Sequence, residues 1–150
     1  MDRLSHEGRE WRTKPRPQRF FTVLEEEIVA LRDSMRDSAA QYLQPGEPLQ
    51  AVIGAQTASP LLAGLAGIFV FLGLNRYRIL AVTPARILVL DAGKASMKKA
   101  RGVVMELPRS TRLGPATGVW HQIPAGNETL RVHRRFFTDI ETADAATARV

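Results

Sequence analysis

The sequence predicts an α+β domain that is mainly β, and three observations lead to this prediction. Short segments rich in Val, Ile and Leu alternate with turn residues along most of the chain. Apolar residues recur at helical spacing near the N-terminus, and a short helix is indicated after the last strand. Between the first two strand candidates lies a run without any charged residue, Thr57–Leu74, TASPLLAGLAGIFVFLGL. At 150 residues the chain is long enough for one domain with its own core.

Two segments precede the first strand. Residues 1–19 are polar and end basic, so we expect a disordered tail. Phe20–Leu43 is predicted to be an amphipathic helix, because its apolar residues recur mostly at three- and four-residue steps. Thr22 and Glu25 have the spacing of a capping box at its start. Residues 20–47 are therefore a helix and linker, and we expect the helix to dock on the β domain or to pair with a copy of itself.

The strand candidates fill the rest of the chain. They are Leu49–Gln56, Tyr77–Val82, Arg86–Leu90, Gly102–Leu107, Val119–Ile123 and Thr129–His133. Pro84 marks the turn of a hairpin between the second and third strands, where its missing N–H costs nothing. A second hairpin joins the last two strands. Thr138 and Glu141 have capping-box spacing and indicate a short terminal helix.

The run Thr57–Leu74 must be covered by lipid or by protein. Placed on a helix from Pro60, its large apolar residues occupy every face. Burying each one is worth roughly 1.5–3 kcal/mol. Leaving them all in water would cost more than the net stability of a typical domain, about 5–15 kcal/mol. Membrane insertion or re-entry is favoured, and a homo-oligomer contact and an internal core helix stay open. The expected contact residues are Leu61, Leu62, Leu65, Ile68, Phe69, Phe71 and Leu72.

The neighbouring strands restrict how this run can meet a bilayer. Its dense part is shorter than the roughly 20 residues of a straight membrane span. If Leu49–Gln56 pairs with Tyr77–Val82, both ends of the run lie on the same side of a bilayer. A single crossing is then excluded, and a re-entrant or interfacial helix remains. Basic residues that follow the run are predicted to contact an anionic surface. They are Arg76, Arg78, Lys94, Lys98, Lys99 and Arg101.

Two stretches of the chain resemble one family. The string Arg78–Leu90, RILAVTPARILVL, resembles the hairpin between the second and third strands of bacterial pleckstrin-homology-like (PH-like, GRAM-like) domains. Leu130–Phe137, LRVHRRFF, with a helix after it, is similar to that family's last strand and capping helix. The resemblance covers residues 48–150. It implies a bent antiparallel sheet, or partly open barrel, capped by the C-terminal helix, with residues 57–74 inserted between strands 1 and 2.

The resemblance also implies a binding or scaffold role, often at membranes, and no enzymatic activity. In this family the loop between the first two strands is usually short and basic, whereas here it carries the long apolar insertion. The basic phosphoinositide-binding motif has no residue-by-residue counterpart, so no headgroup is indicated. The leading hypothesis is a PH-like module at the cytoplasmic face of a membrane, in contact with anionic headgroups. The alternative is a soluble homo-oligomer in which the apolar helices pack together; no other protein partner is indicated.

Composition and motifs exclude several other classes. Without cysteine the chain has no disulfide scaffold or thiolate metal site, which fits a reducing cytoplasm. The net charge of +6 favours anionic partners, but no basic surface interleaved with aromatic residues indicates nucleic acid. No nucleophile, phosphate-loop, zinc or dinucleotide motif is present, so we predict no catalytic residue, metal or cofactor. His121 and His133 are expected to be polar surface residues that face each other, and Trp120 is expected in the core.

Overall fold

The computed structural model describes residues 18–147 and, from residue 22 onward, their side chains. The helices are α1 (Gln18–Ala39), α2 (Pro60–Ala66), α3 (Ile68–Leu74) and α4 (Phe137–Thr147), with 3₁₀ turns at Ala40–Tyr42 and Arg134–Phe136. The strands are β1 (Ala51–Gln56), β2 (Tyr77–Val82), β3 (Arg86–Gly93), β4 (Gly102–Pro108), β5 (Trp120–Ala125) and β6 (Glu128–His133). The predicted α+β fold class is confirmed, including the helical insertion between the first two strands.

The strands form one antiparallel sheet of six, in the order β4-β3-β2-β1-β6-β5. The register shifts between Tyr77 and Arg78 in β2 and again between Val89 and Leu90 in β3. Irregularities of this kind bend a strand and increase its twist. The sheet curls into a half-barrel, and α4 caps it. This arrangement is compatible with a PH-like fold.

The core lies around β1, which is buried along its whole length. Both α1 and α4 contact this strand. At Gly54 the packing leaves no room for a side chain, because a Cβ would lie 2.3 Å from Met97 Sδ and 2.9 Å from the Phe136 ring. Phe136 is itself only 1% exposed, at the 3₁₀ turn that precedes α4. Glycine at position 54 therefore allows the start of the C-terminal helix to pack directly on the central strand.

The C-terminal half of α1 docks on the β domain, which is one of the two alternatives predicted from the sequence. Met35 and Ala39 are fully buried, whereas apolar residues nearer the N-terminus, such as Val29, are exposed. The Arg32 guanidinium binds the Asp139 carboxylate of α4 at 2.8 Å. These contacts fix α1 against the sheet and the capping helix through its second half.

The ends of the helices differ from the predictions. Residues 1–17 of the predicted tail lie outside the described residues, and α1 already begins at Gln18. Thr22 therefore lies inside α1 rather than at a capping box. Thr138 likewise lies inside α4, which follows the 3₁₀ turn at Arg134–Phe136 without a break. Capping-box spacing alone does not locate a helix start when preceding residues continue the helix.

Candidate functional site

The apolar run folds as two short helices rather than as one. Before α2, the Ser59 hydroxyl accepts a hydrogen bond from the Leu61 N–H at 3.3 Å. Pro60 occupies the first helical position, where its missing N–H is not needed. Gly67 separates α2 from α3 with a φ of +95°, a conformation that glycine adopts more readily than other residues. We call residues 60–74 the apolar hairpin.

The two ends of the apolar hairpin are tied together at the sheet. The Thr57 N–H donates to the Arg76 carbonyl at 3.0 Å, and the Arg76 N–H donates to the Thr57 hydroxyl at 3.1 Å. Asn75, which is 2% exposed, accepts a hydrogen bond from the Ala58 N–H at 3.2 Å. The chain therefore leaves the sheet and returns to it at the same point. Each helix has 7 residues, which corresponds to a length of roughly 10 Å.

The apolar hairpin exposes its large side chains. Leu65 is 88% exposed and Phe69 is 86% exposed. The other exposed large apolar residues of the hairpin are Leu61, Ile68, Val70, Leu72 and Leu74. Leu62 and Phe71 are partly buried. The described part of the chain thus leaves most of this surface uncovered, and the alternative of an internal core helix is wrong.

Within residues 18–147, no helix is both long enough and apolar enough to span a bilayer.

Basic groups lie at the base of the apolar hairpin. Arg76 is exposed, and only Asn75 separates it from the end of the hairpin. The Lys94 ammonium group donates a hydrogen bond to the Gly73 carbonyl of α3 at 3.0 Å, so the β3–β4 loop touches the hairpin. Of the basic residues singled out from the sequence, the structure brings Arg76 and Lys94 closest to the apolar surface.

Three further predicted residues lie on the same loop, further along. Lys98, Lys99 and Arg101 are all exposed. This part of the loop is held by α1, because the Ser38 hydroxyl donates to the Lys98 carbonyl at 3.3 Å and accepts from the Ala100 N–H at 3.0 Å. These side chains add positive charge to this loop, and the Arg101 guanidinium lies over Gly93.

Arg78 has a different place from the one predicted. It is 6% exposed, and its guanidinium binds Asp91 of β3 at 2.6 Å and Glu128 of β6 at 2.9 Å. The hydrogen-bonded Glu128 carboxylate raises the pKa of Arg78, although burial acts in the opposite direction. Because β1 lies between β2 and β6, this side chain crosses the central strand and links both halves of the sheet. The prediction of an anionic-surface contact is therefore wrong for Arg78.

The two strand histidines do not face each other. His121 pairs with Val132, and His133 pairs with Trp120, so the two imidazole rings lie on opposite faces of the sheet. Trp120 is 37% exposed rather than in the core, and its ring meets the His133 ring edge-on at 5.1 Å. Burial, together with the charges of Arg135 and Arg134, lowers the pKa of His133. Among the described residues, no group of three His, Cys, Asp or Glu side chains is placed to hold a metal.

Two residues of the hairpin base were not identified from the sequence. Thr57 and Asn75 flank the apolar hairpin and carry the hydrogen bonds that close it. The sequence does show polar residues at both borders of the charge-free run. They can be recognised as the base of a hairpin only when it is known that β1 and β2 are paired neighbours.

Comparison with known proteins does not assign this chain to a family. No protein-family model, no curated protein and no solved structure matches this chain significantly.

Proposed function

We propose that this chain is a non-enzymatic binding or scaffold module of the PH-like type, held at the cytoplasmic face of a membrane by its apolar hairpin. The exposure of Leu65 and Phe69 on this hairpin supports the proposal most directly. Soluble monomeric proteins rarely expose large contiguous apolar patches, and such patches mark membrane or protein interaction sites.

The expected membrane contact is interfacial. An element that lies in the interface buries its apolar face about 5–10 Å into the boundary between headgroups and acyl chains. The arms of the hairpin are roughly 10 Å long, too short to cross a hydrocarbon core of roughly 30 Å. Transfer of a Leu or Phe side chain out of water contributes roughly 1.5–3 kcal/mol when burial is complete. Leu65 and Phe69 are expected to contribute most, because they have the largest exposed fractions in the hairpin.

Electrostatic attraction adds to this apolar contact. Arg76 and Lys94 lie at the base of the hairpin, where headgroups would meet the protein. A basic side chain near an anionic membrane surface contributes about 1 kcal/mol. Lys98, Lys99 and Arg101 are exposed on the same loop and add to the positive field. Anionic lipid should therefore strengthen binding, and added salt should weaken it.

The β2–β3 turn supports the PH-like interpretation through the string VTPAR. The Thr83 hydroxyl accepts hydrogen bonds from the Ala85 N–H at 3.3 Å and the Arg86 N–H at 3.2 Å. Arg86 in turn binds the carboxylates of Glu47 and Glu106 at 3.1 and 3.2 Å. Thr83 and Arg86, which both lie in the string VTPAR, thus have structural roles in this hairpin.

Co-sedimentation with vesicles tests the proposed function. The 150-residue protein is mixed with phosphatidylcholine vesicles, with and without added phosphatidylglycerol, and pelleted. We expect the parent to pellet with anionic vesicles and the Leu65→Asp/Phe69→Asp variant to stay in solution. The matched control is Val103→Asp/Val104→Asp, which changes exposed apolar residues on the edge strand β4 and should pellet like the parent.

Equal pelleting of the parent and the hairpin variant would contradict the proposal. The alternative, a soluble homo-oligomer joined through the hairpin, is tested in the same proteins. Sedimentation velocity in detergent-free buffer would then show a discrete dimer or larger assembly for the parent and a monomer for Leu65→Asp/Phe69→Asp.

A further inference from the structure

A partly open cavity of about 390 Å³ lies next to the end of β1, separate from the apolar surface of the hairpin. It is bounded by β1, α1, the β3–β4 loop and the β5–β6 hairpin. Small-molecule sites usually have volumes of about 300–1,000 Å³. Its size and position make this cavity a candidate site for a small ligand.

The polar part of the cavity wall is positively charged. Arg131, Arg135 and Lys98 line it, and no Asp or Glu is among the residues that form its wall. Within the described residues, none of these three cations forms a salt bridge. The Arg131 Nε is buried without a hydrogen-bond partner, although its Nη1 donates to the Thr57 carbonyl. A buried donor without a partner is costly, so the charge of this guanidinium is not fully compensated within the described residues.

Two pKa shifts agree with an uncompensated positive charge at this wall. Partial burial lowers the pKa of Arg135; Tyr77 acts in the opposite direction, and the nearby Arg32 charge acts in the same direction as burial. His133, which also lines the cavity, has a pKa lowered by burial and by the charges of Arg135 and Arg134. At Arg135 and His133, therefore, the cavity wall disfavours an added positive charge and favours an added negative charge.

The remaining wall is apolar. Leu31, Met97, Trp120 and Phe136 line it, and Trp120 is 37% exposed although its ring is large and apolar. Met97 and Phe136 are themselves buried, so Leu31 and Trp120 are the parts of this wall that water reaches. A free inorganic anion would use the cations but would leave these two side chains in water. A ligand that joins one anionic group to an apolar body would satisfy both parts of the wall.

We propose that this cavity binds an anionic amphiphile, with its carboxylate or phosphate held by Arg131 and Arg135 and its apolar body against Trp120 and Leu31. The ligand is either a free amphiphile or a lipid taken from a bilayer, since both present the same chemistry. Arg131 also bonds to Thr57 at the base of the apolar hairpin, so the site lies beside the proposed membrane contact without sharing its apolar residues.

Binding of dodecanoate, below its micelle concentration and without vesicles, tests this site. The Trp11→Phe variant leaves Trp120 as the only tryptophan, and its fluorescence reports occupancy of the cavity. We expect dodecanoate to bind, and dodecanol and inorganic phosphate to bind much more weakly. Arg135→Gln and Arg131→Gln should each reduce affinity roughly 10- to 100-fold, since each removes charged hydrogen bonds. Arg134→Gln is the matched control, because Arg134 is not part of this cavity wall.

Absent dodecanoate binding, equal binding of dodecanol, or unchanged affinity in correctly folded Arg135→Gln protein would each overturn the proposal. Dodecanoate binding by Leu65→Asp/Phe69→Asp separates this site from the membrane function, because that variant lacks the proposed hairpin contact and keeps the cavity. The two sources are distinguished by adding vesicles that contain lysophosphatidic acid. Equal Trp120 signals from free and vesicle-borne lysophosphatidic acid indicate a soluble ligand, whereas a larger signal from vesicles that Leu65→Asp/Phe69→Asp abolishes indicates a bilayer lipid.

Discussion

Thr57 and Arg76 close the apolar hairpin through a reciprocal pair of hydrogen bonds, in which each main-chain N–H is bound by the other residue at 3.0 and 3.1 Å. The contact continues the antiparallel pairing of β1 with β2, whose last pair is Gln56 with Tyr77. The base of the hairpin is therefore fixed by the sheet. Its apolar side chains, being exposed, contribute little to that fixation and are available to a partner.

The buried amide of Asn75 supports this base. Asn75→Ala removes the acceptor of the Ala58 N–H. An unsatisfied buried donor costs about 1–3 kcal/mol, so we expect a fall of that size in the free energy of unfolding, measured by urea denaturation. Asn127→Ala, in the exposed turn between β5 and β6, is the control and should change stability by less than about 0.5 kcal/mol. Equal effects of both substitutions would contradict the proposed role of Asn75.

The turn at Gly67 should require glycine, whereas Gly73 should not. Gly67 has a φ of +95°, and a side chain there costs about 1–3 kcal/mol in backbone strain. Gly73 lies in α3 with open space around it, so alanine there should favour the helix by about 0.5–1 kcal/mol. Gly67→Ala is expected to weaken pelleting with anionic vesicles, and Gly73→Ala to preserve it. Indistinguishable partitioning of the two variants would show that the turn is not needed.

Substitutions of Arg76 and Arg78 should have different effects, one on membrane binding and the other on stability. Arg78→Met leaves two carboxylates without their shared guanidinium, and we expect a loss of about 1.5–3 kcal/mol in the free energy of unfolding with vesicle affinity retained. Arg76→Met removes an exposed cation and should weaken binding to anionic vesicles by about 1 kcal/mol, roughly fivefold, with stability unchanged. A stable Arg78→Met protein with weaker vesicle binding would reverse these assignments.

His133 should make stability depend on pH below neutrality. Its folded-state pKa is lowered, so on acidification the unfolded chain takes up the proton first. The stabilisation from the neutral imidazole is thus present above the unfolded pKa of about 6.5 and is lost as pH falls through the folded value. Urea denaturation from about pH 7.5 to about pH 5 should show a smaller fall for His133→Gln than for the parent. Identical pH slopes would exclude this contribution.

The strands were the part of the fold most readable from the sequence. The sequence predicts Tyr77–Val82, the bounds that β2 has, because a segment rich in Ile, Leu and Val ends at the turn that contains Pro84. The start of α1 was less readable, since the helix extends past the residues that resemble a cap. A turn is encoded by a few adjacent residues. The start of a helix also depends on whether the preceding residues continue the helix.

The sequence predicts which apolar and basic residues form the site but not their three-dimensional arrangement. The apolar insertion and its exposed basic neighbours follow from a charge-free run between two strands. The break at Gly67 does not, because glycine inside an apolar run also suits a continuous helix. The burial of Arg78 depends on Glu128, a carboxylate that lies 50 residues away in sequence. Such long-range partners become visible only in the folded chain.

Site-specific fluorescence tests the proposed membrane contact most directly. The chain has no cysteine, so Leu65→Cys and Val104→Cys each give a single attachment point for an environment-sensitive fluorophore. On addition of phosphatidylglycerol vesicles, we expect the emission of the label at position 65 to shift to the blue and brighten, as its surroundings become apolar. The label on edge strand β4, at position 104, should not change. Unchanged emission at position 65, or the same change at both positions, would contradict insertion of the apolar hairpin.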